Sequence, residues 1–369
     1  MPTEGAAEAV TSTPDETAPI SLADYDYVLP PERIAQEPIE PRDRARLLVV
    51  PRGEGTLEHR IFHELPDLLE PDDLLVLNET RVTAVRLFGE RNGGGEVEIL
   101  LLRPAPEVGP DRFEALVRPG KKVRDNDVLL FEEARLRAEA GVRTPDGGRI
   151  LRFFSVDGGD VAELLTAAGR TPLPPYITRP LANPERYQTV YARIPGSAAA
   201  PTAGLHFTPE LLDRLRQAGI RTATVRLDVG LGTFRPIRTD DVRNHEMHEE
   251  SFSVPEETAE RVNTCRGRVI AVGTTTLRAL ETAARNAPEG MRVTATEGLT
   301  RLFVLPGFRF RATDGLITNF HQPHSTLLLL VAAFVGRDQM RAAYTAALTN
   351  PYRFLSFGDA MLAVTRGTV

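Results

Sequence analysis

Residues 82–154 alternate short apolar and polar runs with glycine-rich turns, and this pattern limits the segment to antiparallel β structure. The turns at residues 92–95 and 145–148 contain the glycines that tight hairpins need for a positive φ. Short strands joined in this way predict a small antiparallel β-barrel or sandwich.

On both sides of this segment the sequence pattern is different, because predicted strands alternate with predicted helices. A strand at residues 269–272 runs through Gly273 into a helix, and a helix that starts at Thr208 ends at Gly219 before another strand. This order is typical of α/β sheets. We therefore predict an α/β main domain with an inserted small antiparallel β-barrel domain. The expected boundaries are 21–81 and 155–369 for the α/β domain and 82–154 for the barrel.

Composition places the chain among soluble proteins, because 41% of its 369 residues are hydrophobic and 26% are charged. The longest apolar run, residues 327–335, is too short for a bilayer, which needs roughly 20 residues. The single cysteine, Cys265, has no partner for an intramolecular disulfide, and the N-terminus lacks the pattern of an export signal. We expect a cytoplasmic protein without a membrane span.

The net charge of −7 is concentrated at the N-terminus, where seven acidic residues precede the first basic residue, Arg33. Residues 1–20 are rich in Ala, Thr, Pro and Glu and are expected to form a disordered acidic tail. The remainder is neutral, since −7 minus −7 is zero, so a nucleic-acid partner is not excluded. Arg118, Lys121 and Lys122 are candidates for phosphate binding, although a solvated strand pair explains them equally well.

Residues 317–326 combine imidazole, amide and hydroxyl side chains just ahead of an apolar helix. Pro323 suits a helix entry, and Ser325 or Thr326 can cap the helix. Polar side chains then meet free backbone N–H groups at a positive helix end. For His321 or His324 alone, an exposed residue beside a capped helix is the simpler interpretation, but the cluster predicts a reactive site.

Two other segments are candidates for ligand contact. Residues 196–207 are mostly small and end at His206, so a flat ligand could approach the backbone and reach the imidazole; the alternative is a mobile linker. Residues 273–276 (Gly-Thr-Thr-Thr) could present N–H groups to a carboxylate or phosphate, and an ordinary strand-to-helix turn fits them equally well.

The sequence lacks the motifs of several common enzyme classes. His245 and His248 are three residues apart, whereas the zinc-protease pattern needs four, so no metal site is predicted. Gly230 and Gly232 begin a dinucleotide fingerprint, but Arg235 replaces its third glycine. Walker, kinase and Gly-x-Ser-x-Gly signatures are absent from the sequence. Acid–base chemistry with His, Asp and hydroxyl groups remains.

At these segments the chain resembles the S-adenosylmethionine:tRNA ribosyltransferase-isomerase family of queuosine biosynthesis, from about Tyr25 to Ala363. The resemblance implies an α/β domain with an inserted β-barrel. It also implies transfer of the ribosyl part of S-adenosylmethionine to 7-aminomethyl-7-deazaguanine in the tRNA wobble position, which gives epoxyqueuosine and releases adenine and methionine. The matching motifs include residues 78–82, 118–122, 199–207, 229–234, 271–275, 318–321 and 358–361.

The resemblance further implies a monomer that takes S-adenosylmethionine as co-substrate and binds the tRNA anticodon stem-loop. It implies no metal, no redox cofactor, no membrane and no obligate protein partner. The residues expected to act are His206, His321, Asn319 and Ser325 in catalysis, Thr202, Gly204, Thr274, Thr275, Arg278 and Thr326 in binding the co-substrate, and Arg81, Arg118, Lys121 and Lys122 in binding tRNA.

The chain departs from the family pattern at four polar positions. Asp228 replaces the usual His, Glu79 replaces Asp, and Gln322 and His324 replace Leu and Lys. These changes leave open a diverged paralogue that keeps the ribosyl donor but uses another acceptor. A catalytically inactive RNA-binding protein is a third interpretation, less favoured because the reactive His, Asn and Ser groups remain together.

Overall fold

A computed structural model of the protein describes residues 20–365, except 54, 134, 145–146, 231–236, 238 and 240. The expected disordered tail lies outside the described residues except for Ile20, as does half of the expected turn at 145–148. Every helix in the described ranges is too short or too polar to traverse a bilayer.

Strands and helices alternate in the larger domain and short strands follow one another in the inserted segment, as the sequence pattern predicts. The strands are β1 (Arg46–Pro51), β2 (Glu58–Ile61), β3 (Leu74–Asn78), β4 (Thr80–Val82), β5 (Val85–Arg91), β6 (Glu96–Pro104), β7 (Arg112–Arg118), β8 (Val128–Phe131), β9 (Leu136–Arg143), β10 (Arg149–Ser155), β11 (Ile194–Ser197), β12 (Arg221–Leu227), β13 (Glu250–Val254), β14 (Val269–Val272), β15 (Thr296–Thr300), β16 (Gly315–Asn319) and β17 (Ala360–Val364). The α-helices are α1 (Val161–Ala168), α2 (Pro209–Gln217), α3 (Glu256–Asn263), α4 (Thr274–Arg285), α5 (Thr326–Val335) and α6 (Arg337–Thr349).

A nine-stranded sheet forms the centre of the larger domain, in the order β15-β13-β12-β3-β14-β16-β17-β1-β2. Its middle strands β12, β3, β14 and β16 are parallel. Helices α4, α5 and α6 contribute to the core on one face, and α2 contributes to the core on the other. Because both faces are covered, β3, β14 and β16 are buried along their whole length and carry nearly continuous apolar runs.

The inserted domain is a closed antiparallel barrel in the order β10-β7-β6-β5-β8-β9. Alternate side chains such as Ile99, Phe131 and Leu151 fill its interior, and Leu165 of α1 packs against the same core. Closure pairs every strand on both sides, so the barrel has no free edge. The predicted fold class, an α/β domain with an inserted barrel, is confirmed.

The topology brings several strand ends to one place. The chain leaves the sheet after Asn78 for the barrel and returns through residues 194–206 before it enters β12, the neighbour of β3. The carboxyl ends of β12, β3, β14 and β16 therefore lie side by side next to the returning segment. Open α/β sheets bind their ligands outside such strand ends.

Candidate active site

A cleft opens at these strand ends. Its walls come from the returning segment, from the ends of β12, β14 and β16, and from the loop before α5. The lining residues are Tyr176, 200–203, Val229, 273–275, 318–323, Ser325, Leu327, Leu355 and Ser356. Three of the sequence segments predicted to contact a ligand therefore meet in one cavity.

Asn319 is held at the floor of the cleft by three hydrogen bonds. Its Oδ1 accepts from Thr202 Oγ1 at 2.8 Å, and its Nδ2 donates to the Leu355 carbonyl at 3.2 Å. A carbonyl can only accept, so the orientation of the amide is fixed. The second N–H of Nδ2 then points to His206 Nε2 at 3.3 Å.

His206 lies behind Asn319 and is only 4% exposed. Since Nε2 accepts from Asn319, the imidazole proton sits on Nδ1. Burial, together with the nearby guanidinium groups of Arg353 and Arg42, lowers the pKa of His206 to about 3. The ring is therefore neutral near pH 7, and its Nε2 lone pair is already engaged.

His321 lines the cleft itself and is held at three points. Its Nε2 lies 2.8 Å from Thr318 Oγ1, and its backbone N–H donates to the Tyr344 hydroxyl at 2.9 Å. Its carbonyl accepts a hydrogen bond from the Tyr27 hydroxyl. Burial lowers the pKa of His321 from its ordinary value of 6.5 to about 3, which keeps the imidazole neutral near pH 7.

The amino end of α4 forms another part of the wall. Gly273 occupies the N-cap position with φ 96° and offers no side-chain cap to the first turn. Asn78 ties this end to the sheet, because its Nδ2 donates to the Leu227 carbonyl at 2.8 Å and to Thr275 Oγ1 at 3.3 Å. Backbone N–H groups at a helix start, together with the helix dipole, suit a carboxylate.

Arg278 was expected to contact the ligand, but the structure places it elsewhere. Its guanidinium forms a buried ion pair with Glu250 and donates to the Leu302 carbonyl at 2.9 Å. Glu250 also accepts from the Gly230 N–H at 3.1 Å. Arg278 therefore supports the end of β12 from behind the cleft wall.

Ser325, Thr326 and Gly204 have structural partners. Ser325 Oγ caps α5 by accepting from the Leu328 N–H at 3.2 Å, and it donates to the Gln322 carbonyl at 2.7 Å. Thr326 is the buried first residue of α5. A Cβ on Gly204 would lie 2.0 Å from the Tyr191 hydroxyl oxygen, so only glycine fits there.

Of the four departures from the family pattern, only Gln322 belongs to the lining of the cleft, and Asp228 lines another cavity. His324 Nε2 lies 3.1 Å from Asp26 Oδ1. Glu79 is paired with Arg193 at 2.9 Å. Asp228 accepts from Thr80 Oγ1 at 2.7 Å and pairs with Arg226.

A second cavity lies between the barrel and the large sheet. Leu102 and Glu114 line it from the barrel, and Asp228 and Leu299 line it from the sheet. Val229 contributes to the walls of both cavities. The two cavities are therefore direct neighbours.

The cations expected to bind tRNA lie in two places, three in the barrel domain and Arg81 outside it. Arg118 ends β7, and Lys121 and Lys122 lie in the short 3₁₀ turn that follows; all three are exposed. Arg81 is in β4 and is paired with Glu185 at 2.5 Å. These residues belong to the surface and not to the lining of the cleft.

Sequence reasoning missed several residues at the site. Asn78 is the last residue of the buried strand β3, and Thr318 is the last but one of β16. A polar residue at the carboxyl end of a buried strand is a signal that could have identified both. Tyr176 lines the cleft, and its hydroxyl lies 2.8 Å from Ser356 Oγ. Tyr27 is 294 residues from the histidine it contacts, so no local pattern could indicate that pairing.

Comparisons with known proteins agree along nearly the whole chain. A family model described as "Queuosine biosynthesis protein" matches residues 22–363. The S-adenosylmethionine:tRNA ribosyltransferase-isomerase of Pelotomaculum thermopropionicum is 50% identical over 349 residues, covering 94% of this chain and 100% of that protein. The protein of the same name from Symbiobacterium thermophilum is 51% identical over 345 residues, covering 92% and 99%. The crystal structure of S-adenosylmethionine tRNA ribosyltransferase from Thermotoga maritima is 40% identical, with a TM-score of 0.52 and coverage of 92% of this chain and 100% of that one.

Proposed function

Because the chain belongs to the queuosine biosynthesis protein family, as its motifs predicted, we propose that it is an S-adenosylmethionine:tRNA ribosyltransferase-isomerase. It transfers and isomerises the ribosyl moiety of S-adenosylmethionine onto 7-aminomethyl-7-deazaguanine in the tRNA wobble position. The products are epoxyqueuosine, adenine and methionine. The observation that carries this proposal is that the family motifs at residues 199–207, 271–275 and 318–321 converge on one cleft.

The cleft takes S-adenosylmethionine with its amino-acid carboxylate at the amino end of α4. Gly273, Thr274 and Thr275 line the cleft there, and the helix dipole favours a negative group. Thr202 and Asn319, joined by their 2.8 Å hydrogen bond, lie across the cavity and orient the sugar. Tyr176 offers a ring face to the adenine.

His321 acts as the base in this proposal. The positive sulfur acidifies the ribosyl carbon bonded to it, and the neutral imidazole removes a proton from that carbon. The resulting carbanion forms a bond to the ribosyl carbon that carries adenine, and adenine leaves and takes up a proton. The acceptor amine replaces the ring oxygen on that same carbon and loses a proton. The ring oxygen then displaces the methionine sulfur and closes the epoxide, so that one proton is released overall. His206 orients Asn319 in this scheme, since it lies behind that amide and, unlike His321, does not line the cleft.

The acceptor nucleotide approaches from the barrel side. Arg118, Lys121 and Lys122 are exposed there and contact tRNA phosphates in this scheme. The second cavity shares Val229 with the cleft and gives a neighbouring space for the acceptor base. The protein acts as a cytoplasmic monomer, and the transfer needs neither a metal nor a redox cofactor.

Product analysis tests this function. The protein is incubated with S-adenosylmethionine and a tRNA that carries 7-aminomethyl-7-deazaguanine, and the digested nucleosides are weighed. Epoxyqueuosine with an equal amount of adenine is the expected result. Adenine release that depends on a different acceptor would instead support the paralogue, and binding without turnover would support an inactive RNA-binding protein.

A further inference from the structure

We propose that Tyr27, in the N-terminal segment (residues 20–29), is a positioning residue for proton transfer at His321. This inference rests on the proposed function, because it assumes that His321 is the base. The observation behind it is the direct contact between the Tyr27 hydroxyl and the His321 carbonyl.

Two tyrosines hold the two polar groups of the His321 backbone. Tyr27 donates to its carbonyl, and the Tyr344 hydroxyl accepts from its N–H at 2.9 Å. The two tyrosine rings also touch edge to face, with centroids 4.9 Å apart. Thr318 holds the imidazole itself at 2.8 Å, so both the backbone and the ring of His321 are fixed.

The Tyr27 hydroxyl is suited to donate at any pH at which the enzyme works. Burial raises the pKa of Tyr27 far above its ordinary value of 10, and Tyr344 and Asp26 act in the same direction. The phenol therefore stays protonated. Its ring is packed against Tyr344 and against Phe354, with centroids 6.2 Å apart in the second pair, so the hydroxyl is held in place.

The loop after β16 needs external support. His324 has φ 57°, a left-handed conformation that is strained for a residue other than glycine. The N-terminal segment contacts the loop twice, at His321 through Tyr27 and at His324 through Asp26, whose Oδ1 lies 3.1 Å from the ring. Tyr25, in the same segment, packs beside Leu329 of α5. The segment is thus also anchored at the two residues just before Tyr27.

Tyr27→Phe tests the proposal because it keeps the ring and removes only the hydroxyl. We expect the single-turnover rate of adenine release to fall about 10-fold, since a small displacement of a reacting group costs up to 10²-fold. The KM for S-adenosylmethionine should stay within about twofold, because His321 moves a proton and does not anchor the ligand. Tyr25→Phe, in the same segment, is the matched control and should keep the wild-type rate.

A double-mutant cycle separates positioning from general damage. In a His321→Ala background, Tyr27→Phe should cause no further loss, because the group it positions is gone. Tyr344→Phe removes the hydroxyl that accepts from the His321 N–H, and it should also slow the wild type without slowing His321→Ala further. A Tyr27→Phe enzyme with the wild-type rate, or one that slows the His321→Ala enzyme equally, would overturn the inference. An inactive wild-type protein would refute the proposed function instead, so the two failures are distinguishable.

Discussion

Asn319 Nδ2 donates to His206 Nε2 across 3.3 Å, and this contact makes the buried histidine an acceptor that orients an amide at the cleft. Two substitutions of His206 should therefore give different results. His206→Gln keeps an acceptor and should reduce the single-turnover rate less than 10-fold, whereas His206→Ala loses the acceptor and should reduce it 10- to 100-fold. The pH–rate profile of His206→Gln should match that of the wild type. If His206 were the base, both variants would lose about 10²- to 10⁴-fold and the acidic limb would change.

The same histidine makes stability depend on pH. Its pKa is about 3 in the folded protein and near 6.5 when unfolded, so below pH 6.5 only the unfolded state takes up the proton. Stability from this group is therefore complete above pH 6.5 and is lost as the pH falls. Between pH 7.5 and 5.5 the free energy of unfolding should fall by about 1.4 kcal/mol more in the wild type than in His206→Gln. Urea unfolding at the two pH values measures this difference, and equal losses in the two proteins would contradict it.

Arg278 should matter for folding more than for ligand binding. Removing one partner of its buried pair with Glu250 leaves an uncompensated charge, so Arg278→Met should lower the free energy of unfolding by about 3–5 kcal/mol. Adding Glu250→Gln removes that charge and should restore part of the loss. Thr275→Val is the contrasting variant, because it alters the cleft wall and should weaken S-adenosylmethionine binding with less effect on unfolding. Urea unfolding and calorimetric titration of the same proteins decide between the two roles.

Lys121 and Lys122 should contribute to tRNA affinity in proportion to their charge. Replacing either lysine by Ala should weaken tRNA binding at low salt and reduce the slope of log K against log salt by about 1. S-adenosylmethionine binding should be unchanged. Arg216→Ala is the control, since that arginine lies on α2 in the other domain and is paired with Asp213. A salt slope that is the same in wild type and both lysine variants would remove these residues from the tRNA interface.

Local signals in the sequence were sufficient for the elements and for the fold class. The alternating runs between residues 82 and 154 predict strands because side chains of a strand point alternately to its two faces, and the barrel interior follows that alternation. The helix start at Ser325 was equally local, since its hydroxyl accepts from the Leu328 N–H only three residues ahead.

The partners within the site could not be predicted in the same way. Arg278 is four residues after Thr274, on the same face of α4, and a role beside it was a reasonable expectation. Glu250 from β13 captures the guanidinium instead, through a contact that depends on strand order. The contacts of Asn319 with His206 and of His321 with Tyr27 also join residues far apart in the chain, at separations of 113 and 294.

The most direct test of the account follows the proton that His321 removes. The enzyme is supplied with S-adenosylmethionine that carries two deuterium atoms on the ribosyl carbon bonded to sulfur, together with acceptor tRNA, and the epoxyqueuosine nucleoside is weighed. One deuterium should be lost to solvent for each product formed, and His321→Ala should slow this loss by at least about 10²-fold. Product that retains both deuterium atoms, or a His321→Ala enzyme that loses deuterium at the wild-type rate, would contradict the account.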